Sequence, residues 1–133
     1  DRPANLFVAD FIGAPPMNFL KGVVEGEGAS RAFRFRSLKL PLPDGPGLEP
    51  GRPLVYGLRP VDVVLGPHGG LSGEMVLSEN TGAETMIHLG IDGEDLRAVA
   101  PGRPHFERGQ RVGFEVPPAK VHLFDPDTGL RIA

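Results

Sequence analysis

Four histidines are the residues in this sequence that suggest metal chemistry, but their spacing argues against it. They occupy positions 68, 88, 105 and 122, and none belongs to a His-x-His or His-x3-His pair. A zinc site needs three or four ligands that converge on one point, and the chain has no cysteine to supply any of them. We therefore predict no metal site and expect His88 and His122 to be ordinary strand residues that face solvent or an interface.

A basic cluster interleaved with aromatic residues is the second candidate, because such surfaces bind single-stranded nucleic acid when the rings are exposed. Its members are Arg31, Arg34, Arg36 and Lys39, with Phe33 and Phe35 between them. Alternation along a strand places the two phenylalanines on the inner face and the arginines outside. The net charge of -3, from 17 acidic and 14 basic residues, provides no broad positive field. We predict that the rings lie in a core and that nucleic acid is not a partner.

Catalytic chemistry has little support in the sequence. The acidic pairs Glu94-Asp95 and Asp125/Asp127 lie in predicted turns, where aspartate is favoured because it hydrogen-bonds the nearby backbone. No serine stands in a nucleophile-elbow context, and the G-x-x-x-x-G-K-[ST] phosphate loop is absent from the sequence. We therefore predict that this chain has no catalytic residues, is not itself an enzyme and binds no cofactor.

Length and composition favour one small β domain. At 133 residues the chain suits a single core, and its 19 glycines and 15 prolines separate short apolar runs. No apolar run approaches the roughly 20 residues that span a bilayer. Because the chain begins at Asp1 without a methionine, we expect it to be a fragment or a processed form.

One short helix is expected at the start of the chain, over residues 1–13. Phe7 and Phe11 lie four residues apart, as do Val8 and Ile12, so they share one helical face. Gly13, followed by Pro15 and Pro16, provides a stop signal.

The remaining chain, 17–133, is predicted to be strands and turns. The hairpin joined by Asn80-Thr81-Gly82 has the strongest pattern, and a break is expected near Ser37, where the alternation changes parity. The predicted strands are Phe19–Val24, Ala32–Leu40 with its break, Leu54–Leu58 with Val61–Leu65 as a continuation, Leu71–Glu79, Thr85–Ile91, Arg97–Val99, Val112–Val116 and Val121–Phe124. This pattern favours an all-β, OB-type Greek-key barrel with extra strands.

Four segments, taken in order, resemble a known family. They are Pro3–Leu20 (PANLFVADFIGAPPMNFL), Gly57–Pro60 (GLRP), Glu79–Thr85 (ENTGAET), and His122–Asp125 (HLFD) with Thr128-Gly129. Together they resemble the C-terminal regulatory domain, called TOBE, of the ATP-binding subunit of carbohydrate-import ABC transporters of the maltose and glycerol-phosphate type. The first segment is the most specific, and the resemblance covers essentially the whole chain.

The resemblance implies a role without catalysis. The domain would regulate and pair two copies of an ATPase subunit that binds ATP and Mg²⁺ in an upstream domain absent from this chain. It implies a homodimer, membrane permease subunits on which the parent subunit docks, and an inhibitory regulator protein in some members. It also implies a cytoplasmic location, peripheral at the inner face of the membrane.

Candidate regulatory and dimer-interface residues follow from the matching segments. They are Ala14, Pro15, Pro16, Met17, Asn18, Gly57, Arg59, Pro60, Asp62, Glu79, Gly82 and Phe124. Two positions depart from the family pattern. Val61 stands where the family usually has a glutamate after Arg-Pro, and Thr81 stands where it usually has a leucine before the glycine.

Two other functions stay open on the sequence alone. A small-molecule or oxyanion-binding module is the first alternative, because related barrels bind oxyanions, usually with paired repeats, whereas this chain shows one copy. A nucleic-acid-binding OB domain is the second, and the acidic balance disfavours it.

Overall fold

The computed structural model describes residues 17–45, 47–66, 70–102 and 104–133. It divides into two compact units, one that runs to Leu58 and resumes over Pro118–Ala133, and one that comprises Arg59–Pro117. The described residues form strands, turns and three short 3-10 helices, so the all-β prediction is confirmed for them. The predicted helix over residues 1–13 lies outside the described residues, and the single-domain assignment stays a prediction.

Ten strands and three 3-10 helices follow one another along the described residues. The strands are β1 (Asn18–Glu25), β2 (Ala32–Phe35), β3 (Leu38–Leu40), β4 (Pro53–Leu58), β5 (Val64–Leu65), β6 (Leu71–Asn80), β7 (Glu84–Ile91), β8 (Glu94–Pro101), β9 (Arg111–Glu115) and β10 (His122–Phe124). The 3-10 helices are Gly28–Ser30, Pro60–Asp62 and Pro118–Lys120. None of the helices in the described ranges is long and apolar enough to cross a bilayer.

The first unit is built on a five-stranded antiparallel sheet in the order β10-β4-β1-β2-β3. β4 is buried on both faces after its first residue, whereas β1 has one buried face and another that carries the exposed Lys21 and Val23. One face carries Leu20, Tyr56 and Leu123, which are neighbours across three strands and at most 3% exposed. The stacked rings of Phe33 and Tyr56, 4.6 Å apart, extend the same side.

The second unit is built on another five-stranded sheet, in the order β5-β9-β6-β7-β8. One face of β7, β8 and β9 is buried, as the period-two pattern predicts, with Ile87, Leu89 and Phe114 fully covered. The other face carries most of the polar side chains of these strands, such as His88 and Arg97, together with Met86 and Val99. β6 changes register at Val76, where a bulge separates the pairs Met75–Leu89 and Leu77–His88.

Two predicted elements differ from the structure. The expected strand over Val61–Leu65 is wrong, because Pro60 starts a 3-10 helix in its place and leaves only the two-residue strand β5. Proline fits the first turn of a helix, where its missing N–H costs nothing. The expected strand Arg97–Val99 is too short, because Asp92 and Gly93 alone make the turn, with φ of 50° and 87°. Such a two-residue turn lets pairing resume at Glu94.

Candidate regulatory and interface site

The candidate residues fall into three groups in the structure. Ala14, Pro15 and Pro16 lie outside the described residues. A second group belongs to the first unit and comprises Met17, Asn18, Gly57 and Phe124. A third group belongs to the second unit and comprises Arg59, Pro60, Asp62, Glu79 and Gly82. The two groups differ in how much of their side chains is exposed to solvent.

Three candidates of the first unit meet on one face of its sheet. Met17 and Phe124 pack together with Val55, and Phe19 covers the cluster with its ring edge-on to Phe124 at 6.2 Å. Gly57 lies between them, since a Cβ at that position would be 3.1 Å from both Met17 Sδ and Phe124 Cε2. The absence of a side chain at Gly57 is therefore what lets the two larger residues approach.

These first-unit candidates have almost no solvent-exposed surface. Phe124 is 0% exposed, Met17 5% and Asn18 3%. Asn18 lies opposite Leu58 in the register, on the other face from Met17. Because a side chain without exposed surface cannot touch a partner directly, these residues shape the sheet rather than present a docking surface.

The candidates at the start of the second unit form one tight turn. Pro60 is buried and opens the 3-10 helix, whose turn is closed by a hydrogen bond from the Asp62 backbone N–H to the Arg59 carbonyl at 2.9 Å. Arg59 and Asp62 are half-buried, and Val61 is 57% exposed. The position where the family usually has a glutamate is thus an exposed apolar side chain in this chain.

Local hydrogen bonds in the hairpin between β6 and β7 explain most of the residue types in the Glu79–Thr85 segment. Asn80 Oδ1 accepts from the Gly82 N–H at 3.0 Å, and the Thr81 hydroxyl donates to the Glu84 carbonyl at 3.1 Å. Gly82 has φ of +106°, which favours glycine. Thr85 is buried and donates its hydroxyl to the Gly102 carbonyl at 2.8 Å. The segment therefore fixes the hairpin, and Glu79 and Gly82 are its exposed candidates.

Glu79 belongs to a polar cluster that the sequence did not predict. His88 on β7 lies with Nε2 2.7 Å from Glu79 Oε1 and with Nδ1 3.0 Å from Asp95 Oδ2. Partial burial lowers the pKa of His88, but the hydrogen bonds to Glu79 and Asp95 outweigh it and raise that pKa above its ordinary value. Alternation along each strand indicates which side chains point outward. Whether Glu79, His88 and Asp95 contact one another depends on the register between strands, which alternation does not give.

Among the described residues, the other histidines do not form a metal site with His88. The two nitrogens of the His88 ring face different carboxylates, and no group of three metal-ligating side chains was found in the described part of the chain. His105 is exposed, and His68 lies outside the described residues. His122 lies in strand β10 as expected but is only 5% exposed, so it does not face solvent, and the interface alternative stays a prediction.

The basic and aromatic cluster is part of the fold of the first unit. Phe33 is 0% and Phe35 3% exposed, so neither ring can stack on a base. The Arg34 guanidinium holds Glu25 with Nε 2.8 Å from Oε2, and this hydrogen bond lowers the pKa of that carboxyl. The prediction that these rings lie in a core is confirmed, and the geometry gives no single-strand binding platform.

The final motif, around Asp125, also has a local explanation. Asp125 Oδ1 accepts from the backbone N–H groups of Thr128 and Asp127, at 2.9 and 2.8 Å, and these bonds lower the pKa of the Asp125 carboxyl. The carbonyl of Asp125 accepts from Gly129 N–H at 2.8 Å. This aspartate therefore caps a turn, as expected for an acidic residue in that position.

Two known domain families match overlapping ranges of the chain. The MalK OB fold domain matches residues 13–63, and the TOBE domain matches residues 56–124, which is more than half of the chain. A solved structure of the cytoplasmic molybdate-binding protein ModG, with molybdate bound, is similar with a TM-score of 0.64 and 17% sequence identity, over 82% of this chain and 96% of that one. At this identity the likeness concerns the fold alone, and it confirms the predicted OB and TOBE type.

Relatives in sequence are ATP-binding proteins of ABC transporters. The whole chain is 38% identical over 133 residues to an uncharacterized ABC transporter ATP-binding protein, y4oS, of Sinorhizobium fredii, and it covers 36% of that protein. It is 37% identical over 140 residues to the sn-glycerol-3-phosphate import ATP-binding protein UgpC of Ruegeria sp., again over the whole chain and 36% of the relative. The chain thus spans about a third of the length of the curated relatives it matches. The family models and these relatives show that the chain belongs to the TOBE domain family of ABC transporter ATP-binding proteins.

Proposed function

We propose that this chain is the non-catalytic regulatory and dimerisation domain of the ATP-binding subunit of a carbohydrate-type ABC importer. The whole-chain match to transporter ATP-binding proteins carries the proposal, since two such relatives align from end to end with this chain over a third of their own length. ATP and Mg²⁺ are then bound by another domain of the subunit. The transported solute belongs to the carbohydrate or glycerol-phosphate class.

Two copies of this domain pair in the working transporter, according to this proposal. Exposed or half-exposed candidates of the second unit, Arg59, Asp62, Glu79 and Gly82, provide contact atoms for a second copy or an inhibitory regulator protein. The buried candidates Met17, Gly57 and Phe124 act indirectly by fixing the sheet. The parent subunit docks on membrane permease subunits and is therefore cytoplasmic and peripheral at the inner membrane face.

Deleting this domain, which is residues 1–133 of the present sequence, from the parent subunit is expected to weaken the self-association of the subunit. Sedimentation velocity measured without nucleotide, over a range of protein concentrations, compares the subunit with and without the domain. Removing the domain should shift the monomer–dimer midpoint to higher concentration, because the contacts it contributes are lost. Equal self-association of the two forms overturns the dimerisation role.

Point variants refine that experiment. Arg59→Ala and Asp62→Ala in the intact subunit test the half-exposed turn, with the exposed Lys120→Ala as matched control. We expect the first two to weaken self-association or regulator binding and the control to leave both unchanged. If all three behave as the unmodified subunit, the turn is not part of the interface.

Oxyanion binding is a second candidate function, favoured by the fold likeness to ModG, which was solved with molybdate bound. A ligand that binds only the native state raises the melting temperature, by an amount equivalent to about 2.7 kcal/mol at a hundredfold excess over Kd. Thermal unfolding with millimolar molybdate, against sulfate and chloride at equal ionic strength, tests this. An upward shift with molybdate alone supports binding, and coincident curves exclude it.

A further inference from the structure

His88 is bracketed by two carboxylates that come from the strands on either side of it. In the register, His88 lies opposite Leu77 of β6 and opposite Arg97 of β8. Glu79 and Asp95 therefore reach the ring diagonally, at 2.7 Å from Nε2 and 3.0 Å from Nδ1. One side chain thus connects three consecutive strands on the polar face of the second unit.

The protonation state of the ring decides whether both contacts are hydrogen bonds. A carboxylate can only accept, and a neutral imidazole has one N–H donor and one acceptor nitrogen. Two short contacts from the two ring nitrogens to two carboxylates are therefore both favourable only when the ring carries two protons. With a neutral ring, one carboxylate faces a nitrogen lone pair and is repelled.

Other charged groups lie on the same face and set the balance of charge. Arg97 of β8 lies opposite His88 in the register, and Glu74 of β6 lies opposite Gly90. Arg111 of β9 lies opposite Glu74 and donates from Nη2 to Ser72 Oγ at 2.8 Å. By the alternation of the strands, Glu84 of β7 and Glu115 of β9 belong to the same face, farther from the ring.

The end of β6 that carries Glu79 is held to the sheet from one side. Its backbone pairs with β7 from Leu77–His88 to Asn80–Thr85, whereas within the described residues the backbone hydrogen bonds towards β9 reach only as far as Met75, through Gln110 and Gly109. Residues 76–80 are all exposed, and Leu77 is 50% exposed. The contact of Glu79 with His88 therefore adds a side-chain attachment to this one-sided backbone pairing.

We propose that His88, Glu79 and Asp95 form a proton-dependent clamp, which ties the end of β6 to β7 and β8 when the ring carries both protons and releases one carboxylate when it carries one. The clamp makes the stability of the β6–β7 hairpin sensitive to pH near neutrality. It does not depend on the proposed transporter role.

The direction of the pH effect follows from the geometry and from the raised pKa of His88. A histidine whose pKa is higher in the folded than in the unfolded chain stabilises the fold fully below its unfolded value. This stabilisation is lost as the pH rises through the folded pKa. The pH range in which stability changes therefore begins near the ordinary histidine pKa of 6.5 and extends above it. The clamp is thus closed in mildly acidic and open in alkaline solution.

NMR titration of the imidazole rings in the complete 133-residue chain tests the clamp directly. We expect the His88 ring to titrate above the ordinary histidine pKa of 6.5. Asp95→Asn should move the His88 midpoint to lower pH, because one of the two carboxylates that accept from the ring is removed. A His88 midpoint at or below the ordinary value overturns the proposal, and so does a midpoint that Asp95→Asn does not change.

Thermal unfolding of matched variants provides a second measurement. His88→Gln keeps a neutral donor, and His105→Gln removes a histidine outside the cluster. The wild type should melt about 1–4 °C above His88→Gln at pH 6, and this difference should shrink towards pH 9, because exposed ion pairs contribute modestly. A difference independent of pH, or one of equal size for His105→Gln, contradicts the clamp.

Discussion

Replacing Gly22 with alanine is expected to lower the free energy of unfolding by about 3 kcal/mol or more, near the upper end of the usual range for inserting atoms into a packed core. A Cβ at Gly22 would collide with the Arg34 carbonyl and lie 2.8 Å from Phe33 Cζ. The first of these atoms is backbone, which cannot move without shifting β2 away from β1. The second is the buried ring that stacks on Tyr56 at 4.6 Å, so no rotamer change removes the clash.

Gly45→Ala is the matched control for this substitution. A Cβ at Gly45 would make only ordinary contacts, 3.7 Å from Ala133 Cβ and 4.0 Å from Leu48 Cδ1, and the φ of this residue lies outside the left-handed region. Alanine there should be neutral or stabilise by roughly 0.4–1 kcal/mol, because it restricts the unfolded chain. The midpoints of urea unfolding of both variants, compared with that of the wild type, test this prediction. Equal midpoints for Gly22→Ala and wild type contradict the close packing of β1 and β2.

Much of the fold could be predicted because alternation is a local signal. The strands β1 and β7 and the hairpin at Asn80-Thr81-Gly82 follow the predicted positions within one or two residues. β8 was predicted too short because Ala98 and Ala100, both at most 7% exposed, are too small to give a strong apolar pattern. Pro60 could also end a strand or start a helical turn, and local sequence does not distinguish these outcomes.

The candidate site could be predicted only as a set of positions. Its residues were chosen from the family resemblance, which says nothing about exposure, and the structure separates buried from accessible members. Phe124 looks like any other strand residue until its pairing with Val55 and its contact with Phe19 are known. The cluster of His88 with Glu79 and Asp95 needed the register of three strands, which a single sequence does not fix.

The motifs that carry the family resemblance have mainly structural roles where the structure describes them. Asn80 and Thr81 close a hairpin, Asp125 caps a turn, and Gly57 leaves room for two larger side chains. Such roles depend on backbone geometry and need no binding partner. Partner contacts are therefore better sought among the exposed residues in and beside these motifs, such as Glu79, Val61 and Leu77.

Phe124→Ala is expected to destabilise the first unit by about 3–5 kcal/mol, the usual cost of removing a buried phenylalanine ring. The ring is 0% exposed and packs against Met17, Val55 and Phe19, so its removal leaves a cavity that the sheet cannot close. The melting temperature should fall by roughly 10–20 °C in calorimetry. Leu130→Ala removes an apolar side chain that is 56% exposed, and it should change stability by no more than about 0.5 kcal/mol.

The same variant separates a structural from an interface role for Phe124. If the residue acts only through packing, Phe124→Ala in the intact subunit should self-associate normally at a temperature where it is still folded, because no partner atom reaches the ring. Loss of self-association in a fully folded variant, verified by circular dichroism in the same sample, would instead make Phe124 a contact residue that is uncovered when two subunits meet. The burial of Met17 and Gly57 beside it favours the first outcome, since the whole cluster is enclosed within a single chain.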